Sequence, residues 1–208
     1  MKENFGLYLI TSHPVAGYEA VARAAVESGL RYLQLRMKDA SVDDVIRVAE
    51  KLKNITRDSA TCLIINDDLA VAMAVDADGI HLGQGDLPLS EARHRWNAPG
   101  KIFGLSTHTM EQALQAVDAA PDYIGIGPVF PTQTKQDTAP VLGVSATARI
   151  AGRIPLTAVA IGGINAENLP RLMRAGVENF CVVSAVDADP DPHAAIRRLQ
   201  KIRENCTF

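Results

Sequence analysis

Gln34, Arg36 and Lys38 alternate along an otherwise apolar run, Tyr-Leu-Gln-Leu-Arg-Met-Lys at 32–38. Alternation puts the three on one face of a strand, and an amide, a guanidinium and an ammonium there form a donor-rich wall suited to a polyanion. Two further apolar runs end in carboxylates, Asp67 after Asn66 and Asp86 after His81-Leu-Gly-Gln-Gly. Alone, either Asp is an ordinary helix cap, the role assigned to Asp68; paired at matching strand ends beside anion donors, Asp67 and Asp86 are the set that Mg²⁺ uses with substrate phosphates and water. In 122–135 an apolar run breaks at Gly127-Pro128 and leaves Thr132, Thr134 and Lys135 on a loop able to curl over an anion. A second anion site is read at Gly162-Gly163 with Ser184 opposite, where backbone N–H groups approach a phosphate closely. Ser106 ends another run with its hydroxyl free to meet a polar ring, because Thr107 or Thr109 serves equally well as the next helix cap. His81 and His108 flank the same rim, but no neighbouring residues complete a nucleophilic triad, so both are read as supporting groups.

These residues need elements that bring them to one rim. Strand-like apolar runs fall at 6–11, 32–36, 62–66, 79–82, 102–106, 123–126, 156–161 and 179–183. Between them, helical spacing of apolar residues falls at 17–28, 42–54, 69–75, 89–96, 110–119, 144–151, 166–175 and 192–202. Ser41 ahead of Asp43 and Asp44 is a helix start, and Gly176 a helix stop. Eight short strands alternating with eight helices predict a single-domain (β/α)8 TIM barrel over 1–208. A doubly wound open sheet would need a Gly-rich turn after its first strand, and Thr-Ser-His-Pro at 11–14 supplies none. In such a barrel polar strand ends converge on the C-terminal face, the face that carries chemistry.

Composition narrows the partners. A chain of 208 residues that is 47% hydrophobic can bury a substantial core, while a net charge of −3 with dispersed Lys and Arg gives no basic surface for nucleic acid. No apolar run approaches the roughly 20 residues of a membrane helix, and the N-terminus reads directly into a strand instead of a signal peptide, so a cytoplasmic protein is expected. Cys62, Cys181 and Cys206, two in strands and one in the tail, have neither metal spacing nor a disulfide framework. Exposed helix faces leave room for a homo-oligomer, and the loop 131–140 is expected to order on ligand binding.

With these residues assembled, the chain resembles the thiamine phosphate synthase family along essentially its whole length. The resemblance is carried by Tyr8-Leu-Ile-Thr11, Gln34-Leu-Arg-Met-Lys38, Ile65-Asn-Asp67, Asp78-Gly-Ile-His-Leu-Gly-Gln84 with Asp86, Gly104-Leu-Ser106 with His108, 125–135, Ala160-Ile-Gly-Gly163 and Val183-Ser184. It implies a transferase that joins 4-amino-5-hydroxymethyl-2-methylpyrimidine diphosphate to 4-methyl-5-(2-phosphooxyethyl)thiazole. Family roles then place the pyrimidine diphosphate on Gln34, Arg36, Lys38, Asn66 and Lys135, the pyrimidine on Ser106, and Mg²⁺ on Asp67 and Asp86. They place the thiazole phosphate on Thr132, Thr134, Gly163, Val183 and Ser184, and catalysis on Arg36, Lys38, Ser106 and Lys135. A thiazole tautomerase of similar fold would have no use for the carboxylate pair or the diphosphate wall. A phosphosugar aldolase would want a desolvated lysine within a strand, whereas Lys135 lies on a loop and Lys38 at a strand end. A non-catalytic sensor of phosphorylated ligands would bind without turnover.

Overall fold

The structure is a computed structural model and describes residues 2–132 and 139–206. Among these, eight parallel strands hydrogen-bond in sequence order and close, β8 pairing with β1, into a barrel. The strands are β1 (Leu7–Thr11), β2 (Tyr32–Leu35), β3 (Cys62–Asn66), β4 (Gly79–Leu82), β5 (Ile102–Thr107), β6 (Tyr123–Ile126), β7 (Thr157–Ile161) and β8 (Phe180–Val182). The helices are α1 (Tyr18–Glu27), α2 (Val42–Thr56), α3 (Leu69–Ala74), α4 (Leu89–Arg95), α5 (Met110–Ala119), α6 (Gly143–Arg153), α7 (Leu169–Arg174), α8 (Ser184–Asp187) and α9 (Pro192–Cys206).

Strand alternation builds two separate cores. Leu7, Leu9, Leu33, Leu35, Leu63 and Ile65 point outward and pack under the helices in the large apolar cluster. Their neighbours Tyr8, Ile10, Tyr32, Ile64, Tyr123, Val159 and Cys181 point inward and fill the barrel. Three tyrosines dominate that filling, with the Tyr8 ring 5.3 Å from Tyr32 and 5.4 Å from Tyr123, centroid to centroid. At the N-terminal rim, residues just ahead of even-numbered strands tie the barrel together: Asp78 accepts from Leu63 N, Asp122 from Phe103 N, and Asn179 from Phe5 N and Gly6 N. Asp78 therefore serves the N-terminal rim of the barrel.

Several local expectations need adjustment. The second strand stops at Leu35, so Gln34 alone of its polar set belongs to the strand and Arg36 and Lys38 stand in the loop above it. The eighth strand is Phe180–Val182, and Val183 leads into the four-residue α8, which is too short to leave a periodic signal in the sequence. Cys206, expected in a tail, is the last residue of α9. The start and stop signals act as read: Ser41 accepts from Asp44 N, and Gly176 takes φ 79° after α7.

Candidate active site

The C-terminal strand ends open onto one cavity. Its wall includes Gln34 from β2, Arg36 above it, Asn66 from β3, Ser106 from β5, Thr132 after β6, and Gly163, Val183 and Ser184 above β7 and β8. His81 and His108 also line it. The wall thus has two sides: amide, guanidinium and hydroxyl groups over β2, β3 and β5, and glycine backbone with a serine over β7 and β8.

A carboxylate pair sits beside the first side. Lys38, Asn66 and Asp67 line an adjoining groove, and Asn66 borders both spaces. Asp67 adopts φ 63°, a left-handed conformation at the tip of β3, and its N–H donates to His81 O at 2.8 Å. Lys38 Nζ donates to the Asp67 carboxylate. The Asp86 carboxylate is fixed by Gly83 N at 2.6 Å and lies against that of Asp67. Burial, and then the neighbouring Asp67, pushes the Asp86 carboxyl above the usual carboxylate range. Two hard oxygen donors pressed together beside an anion wall fit a divalent cation that completes its shell with phosphate and water. Among the described residues no group of three or more His, Cys, Asp or Glu is placed to hold a metal ion. Asp68 takes the other role foreseen for it and caps α3 through Val71 N.

Ser106 is released to the cavity because Thr109 caps α5, accepting from Gln112 N at 3.1 Å. Its Oγ is 2.9 Å from His81 Nε2, and its carbonyl accepts from Gln84 Nε2. His108 donates from Nδ1 to Gly127 O at 2.8 Å, which pins its ring at the rim. The glycines that follow β7 have a second reason to lack side chains. A Cβ on Gly162 would lie 2.6 Å from Pro128 Cα, and one on Gly163 2.4 Å from Pro131 O. The 128–131 segment lies in that space, held by Val129 N to Ile161 O at 2.9 Å and Phe130 N to Gly162 O at 3.0 Å. Gly162 and Gly163 thus seat the loop that carries Thr132.

Comparison with known proteins identifies the family of the chain. Residues 7–186 match the family described as thiamine monophosphate synthase. The chain belongs to that family. It is 40% identical over 199 residues to the thiamine-phosphate synthase of Roseiflexus sp. strain RS-1, covering 94% of this chain and 84% of the relative. It is 41% identical over 199 residues to the thiamine-phosphate synthase of Chloroflexus aurantiacus, covering 94% of this chain and 91% of that one. Among solved structures, thiamine phosphate pyrophosphorylase from Pyrococcus furiosus superposes with a TM-score of 0.85 at 35% identity, over 99% of this chain and 98% of that chain. As a thiamine monophosphate synthase family member the chain is an enzyme, a transferase of thiamine synthesis.

Of the residues singled out in the sequence of this family member, Gln34, Arg36, Asn66, Ser106, Thr132, Gly163, Val183 and Ser184 meet in the cavity, and Lys38, Asp67 and Asp86 gather at its edge. Thr134 and Lys135, with most of the loop expected to order, lie outside the described residues. The sequence assigned no role to Tyr8, which heads one of the family motifs, or to Tyr123. Both sit inside apolar strands where a phenol reads as core, and a hydroxyl at an inward position of a strand is the signal that marks them.

Proposed function

We propose that the cavity joins a 4-amino-5-hydroxymethylpyrimidine diphosphate to a thiazole bearing a phosphooxyethyl arm, releasing pyrophosphate and forming thiamine phosphate. The observation that carries this reading is one cavity with two anion-suited sides and a carboxylate pair at the edge of only one of them. The side with the pair takes the diphosphate, on Arg36, Lys38, Asn66 and, by the family resemblance, Lys135. The side over β7 and β8, with Gly163, Val183, Ser184, Thr132 and, by the family resemblance, Thr134, takes the single phosphate. Gln34 and Ser106 hold the pyrimidine between them.

Asp67 and Asp86 would hold Mg²⁺, which supplies positive charge to the diphosphate. The C–O bond to the diphosphate breaks with its electrons leaving on pyrophosphate, and Arg36, Lys38 and Lys135 stabilise that developing charge. The exocyclic carbon becomes electron-poor, and the aminopyrimidine spreads its charge. The thiazole nitrogen then forms the new C–N bond with its lone pair. That nitrogen has no proton to lose, so no general base is required, and the hydroxyl and cationic residues of the wall suffice. The family's activity is supplied to this chain by its full-length relatives; the substrate pair and the metal are this reading's own.

The experiment is to incubate the purified protein with the two precursors, with Mg²⁺ and with chelator, and to follow thiamine phosphate and pyrophosphate together. Equal, Mg²⁺-dependent formation of both supports the reading. Product formation undiminished in chelator would remove the metal from it, and no product from this pair would remove the substrates.

A further inference from the structure

The barrel interior contains a continuous hydrogen-bonded series between two residues of the cavity wall. Gln34 Nε2 donates to Tyr8 Oη at 2.8 Å, and the Tyr8 and Tyr123 hydroxyls are 2.7 Å apart. Tyr123 Oη is 3.1 Å from His81 Nδ1, and His81 Nε2 is 2.9 Å from Ser106 Oγ. Gly104 makes the third link possible. It is in register with His81 on one side and Tyr123 on the other, and a Cβ there would lie 2.4 Å from Tyr123 Oη and 2.5 Å from His81 Nδ1.

Proton counting gives the series a direction. An amide nitrogen only donates, so Tyr8 Oη accepts from Gln34 and its single proton is directed to Tyr123. Tyr123 in turn directs its proton to His81 Nδ1. A neutral imidazole that accepts at Nδ1 carries its proton at Nε2 and donates it to Ser106 Oγ. The proton of Ser106 is then left for the cavity. Burial pushes both phenols well above their ordinary range, so each retains the proton that the count requires. At the opposite end Gln34 is 1% exposed, and its Oε1 has no hydrogen-bond partner among the described residues. A buried carbonyl oxygen left in that state in a cavity wall is suited to a ligand N–H.

We propose that Tyr8, Tyr123 and His81 are positioning residues that fix the polarity of the pyrimidine pocket, holding Gln34 Oε1 as an acceptor and the Ser106 hydroxyl as a donor. The inference rests on the function proposed above and adds its specificity. An aminopyrimidine presents an exocyclic N–H to Gln34 and a ring nitrogen to Ser106. Its oxo counterpart presents a carbonyl oxygen to Gln34 Oε1, lone pair against lone pair, and is rejected.

The test has two readouts. Side-chain ¹⁵N shifts of His81 in the ligand-free protein report its tautomer, and competition between the amino and oxo pyrimidine diphosphates reports discrimination as a ratio of kcat/KM. Wild type is expected to carry the His81 proton on Nε2. Tyr123→Phe keeps the ring packing and removes the link, so His81 should populate both tautomers and discrimination should fall by about tenfold, with KM for the thiazole phosphate unchanged. Tyr8→Phe, one link earlier, should lower discrimination in the same way. Tyr32→Phe is the control: its hydroxyl bonds Glu3 at 3.1 Å, outside the series, and discrimination should stay at the wild-type value. A His81 protonated at Nδ1 in wild type, or a wild-type ratio in both Tyr123→Phe and Tyr8→Phe, would overturn the proposal. Failure of the substrate assignment is seen separately, as wild-type protein that makes no product, and the tautomer of the free protein then decides the direction of the series.

Discussion

Replacing Gly163 by Ala separates the loop-seating role of the glycines after β7 from mere turn formation. Gly163 has φ 63°, where a Cβ costs about 1–2 kcal/mol. That Cβ would also lie 2.4 Å from Pro131 O and 2.9 Å from Phe130 Cβ, so the 128–131 segment must lift. Lifting strains the bonds from Phe130 N to Gly162 O and from Val129 N to Ile161 O, at about 1 kcal/mol each if lost. With both bonds lost the sum is about 3–4 kcal/mol, which for a domain of this size lowers Tm by roughly 6–16 °C. Because Thr132 follows the displaced segment, KM for the thiazole phosphate should rise about tenfold or more while KM for the pyrimidine diphosphate changes little. Thermal unfolding and steady-state kinetics with each substrate varied in turn measure both. Gly152→Ala is the internal control: it lies within α6 with open space at its Cβ position, so it should stabilise by about 0.5–1 kcal/mol and leave both KM values alone. A Gly163→Ala protein with wild-type Tm and wild-type thiazole phosphate KM would refute the loop-seating argument.

Asp67→Asn keeps a side chain that tolerates positive φ, so the fold should survive while kcat/KM falls about 100-fold and more Mg²⁺ is needed for half-maximal rate; wild-type turnover across a Mg²⁺ titration would remove Asp67 from the ligand set. Asp187 is buried, and burial raises its carboxyl above the ordinary value even though Ser12 N and His13 N donate to it. With the folded pKa above the unfolded one, the ionised carboxylate weakens the fold at neutral pH and protonation relieves this as pH falls through the raised value. Asp187→Asn should therefore be more stable than wild type at neutral pH, with the difference shrinking towards about pH 4; a urea-unfolding difference that stays constant or grows on acidification would contradict that sign.

Much of the fold was legible because its signals are local. Eight apolar runs at barrel spacing are strands whatever their neighbours, and Ser41, Asp68 and Gly176 punctuate helices through bonds that span three or four residues. α8 was not legible, since four residues cannot display a period, and the end of β2 was overrun because Arg36 continues an alternation that the backbone pairing abandons at Leu35.

The sequence by itself determined which residues reach the C-terminal face: polar groups that follow an apolar run must emerge where the strand ends, so Gln34, Asn66, Asp67, Ser106 and Ser184 were identifiable one segment at a time. Only the tertiary structure decided which of them touch. Asp86 against Asp67, and Tyr8 against Tyr123 across 115 residues of chain, depend on strand register and on how the closed barrel staggers its inward side chains. A one-residue slip would turn Tyr123 outward and open the path between Gln34 and Ser106.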